Sequence, residues 1–188
     1  NLAYGMMLSK ALSDIIFPTI EKVSTTLYEL ASTNAHIGLM SRTHGQPAVP
    51  TTMGKELMVF ISRLERKLNL VKSHSLSIKF GGAVNNLNAQ MVAFPDVIWS
   101  VEYNDFLDKE FGLQREKFAT QVGNNDTQAE LLDHWRQICN ICIGWCQDMW
   151  YYISIKYFLG CLMTKRLFWL LNRNRRFFYL DLGWRAIS

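Results

Sequence analysis

Leu2, Met6, Leu12, Ile16, Ile20, Val23, Leu27 and Leu30 recur at steps of three to six residues, mostly near a helical period. The pattern predicts a helix from about Leu2 to Ala35. Pro18 should kink this helix rather than end it, because the pattern resumes at once. Gly38 marks the stop, and a loop follows. Thr51 or Thr52 is then placed to cap a second helix, running to about Ser77 with Met53, Leu57, Phe60, Ile61, Leu64, Leu68 and Val71 inward. Glu56, Arg63, Glu65, Arg66 and Lys67 fall on its solvated face.

Gly81-Gly82 breaks the period, and a polar loop is expected as far as Pro95. Asp96 is placed to cap a shorter helix from Val97 to about Phe111, which Gly112 ends. Residues 113–125 read as irregular. Thr127-x-x-Glu130 has the form of a capping box. It opens a long helix through Leu131, Trp135, Ile138, Cys142, Trp145, Met149 and Ile153. Beyond Ile138 this helix is apolar on most faces, as in the interior of a helix bundle. The pattern holds no convincing strand pair, repeat, P-loop or GxGxxG. The expected class is all-α, a bundle of long helices.

Composition adds bounds. The chain has 188 residues, 49% hydrophobic and 19% charged, which suits a globular protein with a sizeable core. It starts at Asn1 inside a helical pattern, without a basic leader, and reads as cut there. Cys139, Cys142 and Cys146 share a helix face, with Cys161 beyond. No His or fourth ligand has zinc-type spacing, so buried thiols are expected rather than a metal site. Reduced thiols fit a cytoplasmic protein. The net charge of +4 is uneven: from Lys156 onward there are seven Lys/Arg and one acid, Asp181, with eight of the 24 aromatic residues. The expected division is a helical domain over 1–158 and a diverged or frame-shifted basic aromatic tail over 159–188. That tail could instead meet anionic lipid or nucleic acid. No uncharged window of membrane-spanning length exists, so neither a membrane nor a nucleic-acid partner is expected.

Candidate chemistry concentrates at Ser41-Arg42-Thr43-His44-Gly45-Gln46-Pro47-Ala48. Histidine has the side-chain pKa nearest neutrality, and here it follows two hydroxyls and a cation in a loop stiffened by Pro47 and Pro50. Taken alone, a loop histidine more often hydrogen-bonds a helix end. The segment resembles the THGQPA motif of the adenylosuccinate lyases, in the fumarase/aspartase superfamily. Three stretches extend the match in order: Gly54-Lys55-Glu56, the glycine- and asparagine-rich run Gly81 to Ala89, and Thr120-Gln121-Val122 ahead of Asp126 and Glu130. The resemblance covers roughly Asn1 to Phe158 and is closest to the bacterial branch.

It implies the central helical region of that superfamily, whose bundles form homotetramers with active sites drawn from several subunits. It also implies β-elimination of fumarate from adenylosuccinate, and from the succinyl-aminoimidazole-carboxamide ribotide of purine synthesis, with no metal or organic cofactor. His44 matches the general acid. Thr43 and Gln121 match substrate-contacting positions. Ser41, Arg42, Lys55, Asn86 and Asn88 are further candidates for anion or amide contacts. Two departures stand out. The family's serine base lies on an SSxMPxKxNP loop that nothing in residues 158–188 matches, and its acidic-Pro-His trio after Thr-Gln reads Gly123-Asn124-Asn125. Alternatives are a non-catalytic fragment or pseudoenzyme that associates with a full-length lyase, and a sister lyase such as one acting on argininosuccinate.

Overall fold

The computed structural model describes residues 1–157. The N-terminal helix runs as α1 (Leu2–Ala11), a π-helical turn (Leu12–Ile16) and α2 (Phe17–Thr33) without interruption. Pro18 stands in the first turn of α2, where its missing N–H costs least, and the widened turn before it takes up the mismatch. The expected kink therefore takes the form of a π turn. The buried stripe is Ile20, Ser24, Leu27 and Ala31; of α1 only Gly5 is buried, and Met6 is exposed.

α2 packs along α3 (Met53–Lys72). Every position expected inward on α3 is buried. Close approach is set at Gly54, where a Cβ would stand 2.6 Å from the Ala31 carbonyl oxygen and the Ala35 Cα. Thr52 caps α3, its side chain accepting from the Lys55 N–H at 3.3 Å. The helix stops at Lys72, short of the expected Ser77. Residues 77–78 instead extend as β3 (Ser77–Ile78) beside β4 (Gln114–Arg115), in parallel.

The expectation of no strand pairs is corrected here. β1 (Gly38–Thr43) and β2 (Gln46–Thr52) form an antiparallel hairpin. Their residues are largely exposed, so no apolar alternation marks them, and Pro47 and Pro50 argue against a strand in sequence. Two more elements were hidden in stretches expected to be irregular. β4 is one, and α4 (Asn88–Ala93) is the other, within the expected polar loop.

α5 (Trp99–Phe111) begins after Ile98 rather than at Asp96, with no side-chain cap, and Gly112 ends it in the left-handed region. α6 (Asp126–Ser154) has no capping box at Thr127. Its start lies two residues earlier, with the Ala129 N–H bonded to the Asn125 carbonyl. The Thr127 hydroxyl accepts from the Ser77 N–H at 3.0 Å, and Gln128 donates to the Ser77 carbonyl at 2.8 Å. Long-range contacts thus outcompete the local box. The chain divides into two units, 1–143 and 144–188. Within the second, Trp145 and Met149 are buried while Trp150 and Tyr151 are exposed.

Candidate active site

His44 and Gly45 form the two-residue turn of the β1–β2 hairpin, with φ of 52° and 77°. Positive φ at both central positions is the geometry whose twist matches the flanking strands. Glycine adopts it freely. A histidine there carries backbone strain of about 1–3 kcal/mol, which is characteristic of functional positions. His44 is exposed at the tip, and the Arg42 guanidinium donates to the Gly45 carbonyl at 3.0 Å, setting a cation beside it. Thr43 pairs with Gln46 as the last rung.

The register shifts between Met40 and Arg42, and Ser41 sits at that irregularity. Its hydroxyl donates to the Val49 carbonyl at 2.5 Å and accepts from the Val49 N–H at 3.2 Å, replacing the lost backbone pairing. At the hairpin base, Glu56 accepts from Thr51 at 3.0 Å and from Lys55 at 3.3 Å. The two cations Arg42 and Lys55 therefore lie on the hairpin and on the first turn of the helix that follows it, with Lys55 exposed.

A second group forms at the other end of the unit. Lys79 donates to the Ala83 carbonyl at 2.8 Å and to the Gln121 carbonyl. Arg115 donates to the carbonyls of Phe80 at 2.8 Å and Asn85 at 3.1 Å, and the Asn85 amide donates to the Glu116 carbonyl at 2.8 Å. The run bearing Asn86 and Asn88 is thereby bound to the segment bearing Gln121, and all three are exposed. Lys79, Arg115 and Glu116 escaped the sequence reading, and Asn85 was read only as part of the Gly81–Ala89 motif. The only signal for them was their position beside the Gly81–Ala89 and Thr120–Gln121 stretches.

The two groups lie at opposite ends of the N-terminal helix. A Cβ on Gly123 would lie 3.3 Å from the Asn1 side-chain amide, so the Gln121 segment sits at the start of the N-terminal helix. The hairpin base sits at its end, where the Gly54 N–H bonds to the Asn34 carbonyl. The helix between, Leu2 to Thr33, is about 45–50 Å long at about 1.5 Å per residue. The hairpin strands reach at most about 25 Å from their base, at roughly 3.3 Å per residue. His44 and Gln121 thus belong to loops at opposite ends of this helix in a single copy.

Comparison with known proteins agrees with the motifs. A family model described as Lyase matches residues 1–163. The chain is 40% identical over 158 residues to the adenylosuccinate lyase of Legionella pneumophila (strain Corby), covering 84% of this chain and 34% of that protein. It is 40% identical over 161 residues to that of Dictyostelium discoideum, with the same coverage, and 35% identical over 158 residues to that of Escherichia coli K12, with the same coverage. It spans about a third of the length of these curated relatives. The fold is similar to the fumarate lyase from Mesorhizobium sp. BNC1, with a TM-score of 0.67 at 22% identity over 81% of this chain and 35% of that one. It is also similar to the 3-carboxy-cis,cis-muconate lactonizing enzyme from Pseudomonas putida, with a TM-score of 0.62 at 23% identity over 77% and 32%.

Proposed function

The chain belongs to the Lyase family, and on that premise we propose that it is the central part of a carbon–nitrogen lyase of the adenylosuccinate lyase type. The reaction is β-elimination in purine and AMP biosynthesis. A base removes a carbon-bound proton, the electron pair forms the double bond of fumarate, the C–N bond breaks, and His44 delivers a proton to the departing nitrogen of AMP. The same chemistry cleaves the succinyl-aminoimidazole-carboxamide ribotide. Thr43 and Gln121 hold the substrate. Arg42, Lys55, Asn86 and Asn88 supply charge and amide donors where its carboxylates and phosphate develop charge. Ser41 acts through the hairpin it braces.

The observation that carries this reading is the separation of the two groups. A hairpin and a loop pair at opposite ends of one long helix serve one site best when different copies bring them together. A homo-oligomer, a tetramer in this reading, supplies His44 from one copy and Gln121 from another. Exposed Val49 on the hairpin and Ile98 ahead of α5 fit such burial between copies. The reading needs no metal or organic cofactor and places the enzyme in the cytoplasm. Among the described residues no helix is long and apolar enough to cross a membrane, and no cluster of His, Cys, Asp and Glu is suited to a metal ion.

A second reading is favoured by Gly123-Asn124-Asn125, which stands where the resemblance expects an acidic-Pro-His trio. In it the chain is a non-catalytic partner of a full-length lyase. The test is a chimera in which residues 1–157 replace the matching segment of the Legionella enzyme. Fumarate release from adenylosuccinate, lost on His44→Ala, supports the lyase reading. A folded, oligomeric chimera without turnover supports the non-catalytic one.

A further inference from the structure

We propose that Arg115 is a positioning residue that holds the Gly81–Asn88 loop in its binding conformation; this rests on the substrate role given above to Asn86 and Asn88. The loop is strained. Asn85 and Leu87 both lie in the left-handed region, with φ of 65° and 58°, and neither is glycine. A side chain such as Leu87 keeps this conformation only where its surroundings over-determine it. Exposed Asn86 lies between them, and Asn88 follows as the first residue of α4.

What over-determines the loop is a planar fork. Arg115 Nε donates to the Phe80 carbonyl at 2.8 Å, ahead of the loop, and Nη2 to the Asn85 carbonyl at 3.1 Å, inside it. Nη2 also lies 3.4 Å from Asn85 Oδ1, and the Asn85 amide returns to the Glu116 carbonyl. The fork passes over Gly81, where a Cβ would stand 2.5 Å from Asn85 Oδ1 and 3.1 Å from Nη2. A guanidinium reaches two carbonyls from one rigid plane, whereas a lysine ammonium is a single point. Arg115 itself follows Gln114 in β4, so the β3–β4 pairing fixes the fork and the fork fixes the loop.

Hydrogen exchange on the full 188-residue chain tests this. Arg115→Ala should speed amide exchange across residues 80–88 by about tenfold or more, as expected for two lost charged hydrogen bonds, with protection of α3 unchanged. Arg115→Lys should restore the thermal midpoint without restoring loop protection. Unchanged exchange at 80–88, or acceleration shared equally by α3, overturns the proposal, as does full rescue by lysine. In the active chimera, Arg115→Ala should raise KM about tenfold with kcat within threefold; an equal fall in kcat would overturn it too. A chimera without turnover refutes the lyase reading alone, while the exchange result still decides the role of Arg115.

Discussion

Thr43 and Gln46 face each other across the tip of the hairpin and leave only His44 and Gly45 to close it. The imidazole is thus carried on a two-residue turn whose backbone tolerates little change. In the chimera, His44→Ala should lower kcat by roughly two to four orders of magnitude, the usual range for a general acid. A loss under threefold would remove His44 from the mechanism. Gly45→Val, which puts a β-branched residue at φ 77°, should reduce activity through hairpin distortion, visible as a changed backbone signal at Thr43 and Gln46. The isolated chain should release no measurable fumarate from adenylosuccinate; turnover above its own His44→Ala control would require a base within residues 1–188.

Gly54 fixes how closely α3 approaches the end of α2. Its missing side chain leaves room for the Ala31 carbonyl and the Ala35 backbone, neither of which can swing aside. Gly54→Ala gains helix propensity but forces the backbones apart, and should destabilise by about 1–3 kcal/mol net. Equilibrium urea unfolding measures this; a stability equal to or above the parent would show that the α2–α3 spacing adjusts freely.

Burial pushes the Cys139 thiol above its ordinary range, with a backbone hydrogen bond opposing, and burial alone pushes Cys146 the same way. Both should react slowly with iodoacetamide at neutral pH, since the thiolate is the nucleophile. The sign for stability follows: above the ordinary thiol range the unfolded chain has released protons that the folded one retains, so stability falls as pH rises through that window. Peptide mapping of alkylation against pH checks it. Fast modification of both thiols at neutral pH in folded protein would contradict it.

Association is expected from the apolar side chains that the described fold leaves exposed, among them Val92, Phe94 and Ile98 near α4 and Trp150 on α6. Light scattering should find an oligomer at micromolar concentration. A stable, monodisperse monomer would refute assembly of the site between copies.

The proposed boundary after residue 158 predicts that removing 159–188 leaves the thermal midpoint unchanged and improves solubility. Saturable, salt-sensitive co-sedimentation of the full chain with anionic vesicles, abolished by the truncation, would instead make the tail a binding element.

The sequence alone specified the inward face of α3, because burial on one side of a helix appears as a period that no distant contact needs to complete. Met53 to Val71 were legible for that reason, as were the Thr52 cap and the Gly112 stop. The order of His44, Asn86 and Gln121 along the chain was legible as motif. Only the tertiary structure decided the hairpin, since exposed strands with two prolines carry no alternation, and their pairing rests on backbone bonds and on the Ser41 side chain. It also moved Thr127 from a local cap to a bond with Ser77, 50 residues away, and joined Arg115 to Asn85. Hydrogen bonds of that range leave no spacing to read. The placement of His44 and Gln121 at opposite ends of one helix belongs to the same class, because it follows from the length of a helix lying between two loops whose distance motif order does not encode.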